Sequence, residues 1–294
     1  MDNLIPFYND VQAHYDLSDE FFALFLDPSR TYSCAYFERD DMSLEQAQRA
    51  KIDLTLGKCD LRAGMTLLDI GCGWGSTLIR AADHFEVDVI GLTLSRNQYT
   101  YVSELLARRT ATDTTAEVYL QGWEDFHRPV DRIVSIGAFE HFRRERYSAF
   151  FDTCHRLLPT GGRMLLHTIV GYNRHDLRAK GLPIDRELID FGRFIQREIF
   201  PGGQLPEPAH VLAAARAGGF TVDRVHPLQP HYARTLDHWA LALRAQRAEA
   251  VRIASRETYE TYMKYLTGCA GLFRRGYIDV MQFTLTKSEA ASET

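Results

Sequence analysis

One stretch in the first third of the chain combines glycines with an acid in a spacing typical of ligand binding. It reads Leu67-Leu68-Asp69-Ile70-Gly71-Cys72-Gly73-Trp74-Gly75. Glycines at the turn between a strand and a helix allow a ligand to approach the backbone, where a Cβ atom would clash. The stretch therefore predicts a small-molecule site, and Asp69 places a carboxylate beside it.

A nicotinamide dinucleotide is the main alternative ligand for such a turn. Its fingerprint is G-x-G-x-x-G, with an acid about 20 residues later at the end of the second strand. Here Ser76 occupies the third glycine position, and the second predicted strand ends Ile90-Gly91-Leu92-Thr93 without an acid. Both departures disfavour a dehydrogenase.

Four side chains that could handle a proton stand near the predicted ends of other elements. Glu140 follows the fourth strand, His167 ends the fifth, and Tyr232 follows the sixth. Cys34 lies in a loop rich in Tyr and Ser that would fold over the ligand. Because parallel strands end at one crevice, we expect these side chains to meet there.

The elements that would position these residues alternate between short apolar runs and helical patterns. The predicted strands are Thr66 to Ile70, Val87 to Leu92, Ala116 to Leu120, Arg132 to Ile136, Arg163 to Thr168, Thr221 to Leu228 and Ile278 to Thr286. Helices are expected from Ser76 to Phe85, from Ser95, after Ser18, and from Ser43, where Gln46 completes a capping box. This alternation predicts an α/β fold with a mostly parallel sheet.

Two helical insertions are predicted beyond the strand ends. One carries Leu188, Phe191, Ile195 and Ile199, and the other carries Leu236, Trp239 and Leu243. Such stripes are typical of core packing, but their position also suits an apolar tunnel for a ligand. We predict one domain, 1–294, with a helical cap (1–60), a cofactor-binding core (61–168) and helical insertions (169–206 and 229–277) that bind the second, apolar ligand.

Composition excludes several classes of function. The 294 residues carry a net charge of −5, which argues against a nucleic-acid partner. The five cysteines form no CxxC pair, so we expect a reducing cytoplasm and predict no metal site. No signal peptide is recognised, and no apolar run approaches the roughly 20 residues that span a bilayer.

The glycine-rich stretch resembles motif I of the class I S-adenosylmethionine (SAM)-dependent methyltransferases. That resemblance implies a seven-stranded, mostly parallel sheet with helices on both faces. SAM carries an ammonium, a carboxylate and a sulfonium, so Asp69 could organise the loop around its cationic tail. Many such enzymes bind the ribose with an acid after the second strand; since none is present here, Gln98 is the expected contact.

A narrower resemblance, over about residues 9 to 287, is to the cyclopropane fatty acid synthases, and most of all to the mycobacterial cyclopropane mycolic acid synthases. The segments that carry it are Asn9 to Ser18, Thr31 to Glu38, Gly91 to Ser95, Val134 to Phe142 and Tyr265 to Cys269. By resemblance, the donor contacts beyond the glycine-rich stretch are Tyr32, Ser33, Thr93, Leu94, Ser95, Arg96, Asn97, Gln98, Gly122, Trp123 (beside the adenine), Glu124 and Ile136.

Making a cyclopropane from an alkene requires a methyl group held at the double bond, a carbocation sheltered from water, and a base. The resemblance implies that Cys34, Glu140, His167 and Tyr232, with the segment at Ile136, hold a bicarbonate ion that acts as the base. Cys269 has two interpretations, an active-site cysteine or a small packing residue. Relatives that hydroxylate or methoxylate mycolates tend to carry an acid where this chain has Gly137, so glycine favours ring formation.

The predicted substrate is a long-chain unsaturated acyl lipid, either free or on an acyl carrier protein. Basic residues of the first insertion suggest a docking face for an acidic carrier or a peripheral membrane surface; they are Arg174, Arg178, Lys180, Arg186, Arg193 and Arg197. Two other functions stay open at this point. A sister methyltransferase would give hydroxylated or methyl-branched products, and a silent SAM- or lipid-binding partner would release no S-adenosylhomocysteine (SAH).

Overall fold

A computed structural model describes residues 4–6, 18–109 and 113–288. Seven strands in this part of the chain form one sheet: β1 Thr66–Ile70, β2 Asp88–Thr93, β3 Ala116–Leu120, β4 Arg132–Ile136, β5 Arg163–Gly171, β6 Phe220–Pro227 and β7 Ile278–Lys287. Their order is β3-β2-β1-β4-β5-β7-β6; β7 pairs antiparallel with β5 and β6, and the other neighbouring pairs are parallel. The predicted seven-stranded, mostly parallel sheet is confirmed.

Helices separate the strands and extend beyond their carboxyl ends. Those described are α1 Asp19–Ala23, α2 Leu44–Lys58, α3 Ser76–Phe85, α4 Arg96–Ala107, α5 Tyr147–Leu157, α6 Arg174–Ala179, α7 Arg186–Phe194, α8 Pro208–Ala217, α9 Gln229–Ala245, α10 Arg247–Ile253 and α11 Arg256–Arg275. Short 3₁₀ turns cover Trp123–Asp125, Phe139–His141 and Arg144–Arg146, and a π-helical turn covers Ile195–Ile199.

Side-chain caps set the starts of the helices near the site. The Ser43 side chain accepts a hydrogen bond from the Gln46 backbone amide, and the Ser43 backbone amide donates to Gln46 Oε1, which completes the predicted capping box. Ser95 caps α4 by accepting from the Gln98 backbone, and Ser18 caps α1. The rest of the segment 9–18 that carries part of the family resemblance lies outside the described residues.

Four strands differ in their bounds from the sequence prediction. β2 and β6 are each shifted by one residue, β7 ends one residue later at Lys287, and β5 continues three residues past Thr168 to Gly171. The extension follows from pairing, because β7 runs alongside β5 as far as the Gly171–Ile278 pair. It places the Ile169 amide within reach of the turn that follows β4.

The two insertions pack above the carboxyl ends of the central strands. Helices α9 and α11 lie against each other and against α1, whose Phe21 and Phe22 rings contact Tyr262. One sheet joins strands from both halves of the chain, which is compatible with the predicted single domain; its internal division stays a prediction. Within the described residues, no helix is both long and apolar enough to cross a membrane.

Candidate active site

A cavity of about 110 Å³ opens at the carboxyl ends of β1, β2 and β4. Fifteen of the residues predicted to bind the donor line it: Tyr32, Ser33, Asp69, Ile70, Gly71, Cys72, Gly73, Trp74, Thr93, Leu94, Gln98, Gly122, Trp123, Glu124 and Ile136. We call this the donor cavity. It brings together segments that are far apart in the sequence, as the parallel topology requires.

The glycine-rich turn has the backbone geometry that glycine allows. Gly71, Gly73 and Gly75 have φ angles of 83°, 55° and 84°. The amides of Gly71 and Cys72 both donate to the Leu92 carbonyl at 2.9 Å, which anchors the turn to β2. A Cβ atom added at Gly73 would meet no protein atom within 4 Å, so this residue leaves space for a ligand.

Asp69 contributes a buried acid to the donor cavity. Its side chain is 2% exposed, and Oδ1 has no hydrogen-bond partner among the described residues. Burial raises the pKa of Asp69 to about 7, and the nearby Lys51 ammonium opposes that shift. An unpaired buried carboxylate is costly unless a cation or donor approaches it. The position therefore suits the ammonium of an amino acid.

Gln98 presents an amide to the same cavity with a defined orientation. Thr93 donates its hydroxyl to Gln98 Oε1 at 2.8 Å, and the Ser95 amide donates to Thr93 Oγ1 at 3.1 Å. The Gln98 amide nitrogen is therefore the donor that this side chain offers to a ligand. This arrangement fits a hydroxyl-bearing group without the acid found in many methyltransferases.

Six of the predicted donor residues do not line the cavity: Leu67, Leu68, Gly75, Ser95, Arg96 and Asn97. Leu67 and Leu68 are fully buried on opposite faces of the sheet, because successive strand residues point in opposite directions. Gly75 and Ser95 cap α3 and α4. These four residues therefore support the strands and helix starts beside the cavity, whereas Arg96 and Asn97 are exposed.

Lys51 lines the donor cavity, but sequence reasoning missed it. It is 1% exposed, and its Nζ donates to Ser33 Oγ at 3.0 Å. On the same face of α2, Gln48 donates to the carbonyls of Thr31 and Ser33. The signal was available, because Gln48, Lys51 and Thr55 recur at three- and four-residue spacing on a face that buries Ile52 and Leu56. Other lining residues outside the prediction include Arg30, Thr31, Ser76, Thr77, Gln121 and Phe142.

A second cavity, of about 390 Å³, adjoins the first, and we call it the acceptor cavity. The two share Tyr32, Ser33, Gly137 and His141 in their linings. Its volume falls in the range of about 300–1,000 Å³ that is common for ligand pockets. The cavities therefore meet where a group bound in one could react with a group in the other.

Most residues that line the acceptor cavity are apolar, and the predicted stripes contribute in part. Leu188, Phe191, Ile195 and Leu236 line it. In contrast, Ile199, Trp239 and Leu243 are at most 1% exposed and pack in the hydrophobic core. Each stripe therefore contributes some side chains to the cavity lining and others to core packing, the two roles that the sequence left open.

All five candidate catalytic residues line the acceptor cavity: Cys34, Glu140, His167, Tyr232 and Cys269. Strand register explains part of this, because Ile136 on β4 pairs with His167 on β5 and the Gly137 amide donates to the His167 carbonyl. The turn after Gly137 then brings Glu140 over β5. The side chains that the parallel topology is expected to bring together therefore line one cavity.

Glu140 and His167 each present one buried polar atom without a partner. Glu140 Oε1 accepts from the Ile169 amide at 2.6 Å, whereas Oε2 makes no hydrogen bond to the described residues. His167 Nδ1 lies 3.3 Å from Gln282 Nε2, and Nε2 has no partner in this part of the chain. Burial raises the pKa of Glu140 to about 7 and lowers that of His167 well below its usual value. Unpartnered buried atoms of this kind leave hydrogen-bonding capacity for a bound water, ion or ligand in the acceptor cavity.

Neither cysteine is activated. Burial raises the pKa of the Cys34 thiol far above its ordinary value and that of Cys269 to about 12. Cys34 Sγ is 3.1 Å from the Ala35 carbonyl, to which it donates. Both thiols are therefore protonated near neutral pH and lack the thiolate that acts as nucleophile or base. Burial also raises the pKa of Tyr232, so its hydroxyl is a donor.

Comparison with known proteins places the chain in a family. Residues 3–283 match the family model described as mycolic acid cyclopropane synthetase. Cyclopropane mycolic acid synthase 1 of Mycobacterium tuberculosis is 59% identical over 286 residues, which is 97% of this chain and 99% of the relative. Cyclopropane mycolic acid synthase 3 of the same species is 58% identical over 284 residues, covering 97% of this chain and 99% of the relative.

Solved structures agree with this assignment. The cyclopropane synthase MmaA2 from Mycobacterium tuberculosis superposes with a TM-score of 0.96 at 58% identity, covering 97% of this chain and 100% of that one. The mycolic acid cyclopropane synthase CmaA1 complexed with SAH and CTAB gives 0.94 at 59% identity, with the same coverage of both chains. A coclaurine N-methyltransferase bound to SAH shares the fold alone, at 21% identity and a TM-score of 0.78. The chain therefore belongs to the mycolic acid cyclopropane synthetase family of SAM-dependent methyltransferases.

Proposed function

We propose that this enzyme adds a methylene group across a double bond of a very long, mycolic-type acyl chain and closes a cyclopropane ring. The observation that carries the proposal is the meeting of the two cavities at Tyr32, Ser33 and Gly137. A cavity that contains charged and amide groups, beside one lined almost wholly by apolar groups, suits a charged methyl donor facing a lipid. The names of the relatives, cyclopropane mycolic acid synthases, support the same substrate class.

The residues of the donor cavity fit SAM. Asp69 offers an unpaired carboxylate oxygen for the ammonium, the Gly73 turn leaves open space, and Gln98 offers an amide donor. Trp123, buried in the lining, provides an apolar surface for the adenine. When bound, SAM supplies an electrophilic methyl group and leaves as SAH. The protein contributes position, because a near-attack geometry removes much of the entropic barrier.

The acceptor cavity holds and shields the acyl chain. Each methylene that leaves water contributes roughly 0.8 kcal/mol, so the apolar walls formed by Leu188, Phe191 and Ile195 favour a long chain over a short one. Methyl transfer forms one C–C bond and leaves a carbocation on the neighbouring carbon. Walls that exclude water prevent its capture as an alcohol. Gly137 lines the junction of the two cavities and adds no side chain to it. A Cβ atom at this position would lie 3.8 Å from Ser33 Cβ.

Ring closure requires the added methyl to lose one proton while the resulting C–H electron pair forms the third ring bond. Three residues of the acceptor cavity fit a small anion: Glu140 and His167 each have one buried polar atom without a partner among the described residues, and Tyr232 has a hydroxyl. With its pKa near 7, a protonated Glu140 could donate to such an anion without charge repulsion. Bicarbonate, when bound there, would supply the base. The raised thiol pKa values make Cys34 and Cys269 unsuitable for that role.

Delivery of the substrate is a separate proposal. The basic residues of the first insertion could receive an acidic acyl carrier protein, although Arg186 and Arg193 already pair with Asp190 and Arg197 pairs with Glu198. We therefore expect carrier docking to depend on the remaining cations, Arg174, Arg178 and Lys180. A peripheral membrane contact and a cytoplasmic location stay predictions.

The test uses purified protein, SAM and unsaturated long-chain lipids of graded length, with and without added bicarbonate. The expected result is SAH release that depends on lipid, cyclopropane ring protons in the NMR spectrum of the product, and faster turnover with bicarbonate. Hydroxylated product alone would favour the sister reaction. Absence of SAH release with every lipid would refute the proposal.

A further inference from the structure

A buried glutamine connects the candidate residue His167 to helix α2. Gln282 is 0% exposed on β7, directly opposite His167 in the strand pairing. Its Nε2 lies 3.3 Å from His167 Nδ1 and donates to Thr55 Oγ1 at 3.0 Å. Its Oε1 accepts from Lys58 Nζ at 2.5 Å. Both ends of the amide are therefore engaged.

The neighbours fix which end of the amide faces His167. An ammonium only donates hydrogen bonds, so the atom beside Lys58 must be the oxygen. The Thr55 hydroxyl donates to the Lys51 carbonyl at 2.8 Å, which leaves Thr55 Oγ1 as an acceptor for Gln282. Both constraints select the same orientation, with the amide nitrogen toward the ring. The amide then has one hydrogen for Thr55 and one for His167 Nδ1.

This orientation has a consequence for the imidazole. A neutral histidine carries its proton on one ring nitrogen, and the other nitrogen accepts. Burial, with the positive charges of Lys51 and Lys58, lowers the pKa of His167 well below its usual value and keeps the ring neutral. Since Nδ1 accepts from Gln282, the proton sits on Nε2, the atom that has no protein partner in the described part of the chain.

We propose that Gln282 and Lys58 are positioning residues that lock His167 in the Nε2–H tautomer, so that it presents a hydrogen-bond donor to the acceptor cavity. The inference rests on the proposed function for the role of that donor. His167 then binds and orients an anion or another acceptor at the junction. It does not take up the proton released in ring closure, so that task falls to the bound base or to Glu140.

The variant Gln282→Glu tests the lock with little change in shape. The new carboxylate pairs with Lys58 and accepts from the ring, which moves the His167 proton to Nδ1. The readout is ¹⁵N NMR of the histidine rings in the full-length protein, with the His167 signal identified by its loss in His167→Asn. We expect a protonated Nε2 in the wild type and a protonated Nδ1 in the glutamate variant.

Activity gives a second readout. Hydrogen-bond partners that orient metal-ligating histidines change activity by about 10- to 100-fold when replaced, and we expect the same scale for a histidine that orients an anion. We expect Gln282→Glu to lower turnover of an unsaturated long-chain lipid by that factor while SAM affinity is retained. His226→Gln is the matched control, because His226 Nδ1 lies 2.9 Å from Lys58 Nζ, the same ammonium that Gln282 binds, whereas the strand of His226, β6, is separated from His167 on β5 by β7. It should keep both the wild-type tautomer and the wild-type turnover.

Several outcomes would overturn the lock. A wild-type His167 protonated on Nδ1 would do so whatever the turnover, as would a Gln282→Glu variant with an unchanged tautomer. An inverted tautomer with wild-type turnover would remove the positioning role in the reaction. Absence of product from the wild type with every lipid would instead refute the proposed function, and the NMR result would still decide the tautomer.

Discussion

Glu140→Gln changes one atom at the centre of the proposed mechanism. The amide oxygen can keep the hydrogen bond from the Ile169 backbone, now 2.6 Å from Oε1, so the turn after β4 should be preserved. The amide nitrogen takes the place of Oε2, which has no partner among the described residues. The variant therefore resembles the protonated acid in shape and hydrogen bonding, but it can no longer ionise or exchange a proton.

The stability effect can be worked from the pKa of Glu140. Burial raises it from the ordinary 4.5 to about 7, which corresponds to about 3 kcal/mol at roughly 1.4 kcal/mol per pH unit. Below pH 4.5 the acid is protonated in both the folded and unfolded states. As the pH rises toward 7, the unfolded chain ionises first, so wild-type stability falls, and the loss is complete above pH 7. The glutamine variant lacks this dependence.

Denaturant unfolding at pH 5 and pH 8 measures the difference. The free energy of unfolding of the variant relative to wild type should rise by roughly 2–3 kcal/mol between the two pH values. Asp69, whose pKa is also raised to about 7, titrates in both proteins and cancels in the comparison. A relative change near zero would contradict the assignment of a buried, proton-holding Glu140.

Kinetics test the same substitution on function. We expect turnover to fall by about 10²- to 10⁴-fold, the usual scale of acid–base catalysis, because the amide cannot relay the proton that the bound base takes up. SAM affinity should be unchanged, because Glu140 lines the acceptor cavity and not the donor cavity. Glu124→Gln is the matched control: Glu124 lines the donor cavity and pairs with Arg146 at 3.1 Å, so this change should weaken SAM binding. Full turnover and an unchanged product in Glu140→Gln would leave Glu140 a structural residue.

Three further substitutions test separate parts of the site. Gly73→Val should abolish SAM binding, measured by calorimetry, because the new side chain enters space that no protein atom occupies and the φ of 55° strains a β-branched residue. Circular dichroism checks that the fold is retained, and unchanged affinity would remove the donor assignment. Gly268→Ala should raise the KM for long lipids at constant SAM affinity, because the new Cβ would push on the Phe191 ring that lines the acceptor cavity. An unaltered KM would show that Phe191 does not contact the substrate. Lys51→Met should weaken SAM binding most at low pH, because without this ammonium the pKa of Asp69 rises further and the acid stays protonated. If the ratio of variant to wild-type affinity does not change with pH, Lys51 and Asp69 are not coupled.

The sheet and the glycine-rich turn were predictable because local sequence determines them. The bounds of β1, β3 and β4 agree with the sequence prediction, since each is a short run ended by turn residues. The convergence of Glu140 and His167 also followed from parallel topology. The extension of β5 to Gly171 depends instead on pairing with β7, which lies more than 100 residues away.

Other features were beyond sequence reasoning because they depend on packing. The π-helical turn Ile195–Ile199 has no sequence signature, and it turns Ile199 into the core while Ile195 lines the cavity. Leu67 and Leu68 belong to the family motif, yet strand alternation buries both in the sheet. A lysine such as Lys51 is expected at the surface, and only the polar spacing on α2 indicates that it is buried. The role of Gln282 depends on its contacts with Lys58, Thr55 and His167, which lie on other elements.

The fate of the methyl hydrogens tests the central claim most directly. With SAM carrying a trideuterated methyl group and an unsaturated long-chain lipid, ring closure must remove one deuterium from the transferred group. The account predicts a product that retains two deuteriums on a cyclopropane carbon, measured by mass spectrometry and NMR. A product that retains all three, as a methyl-branched alkene or alcohol, would contradict it.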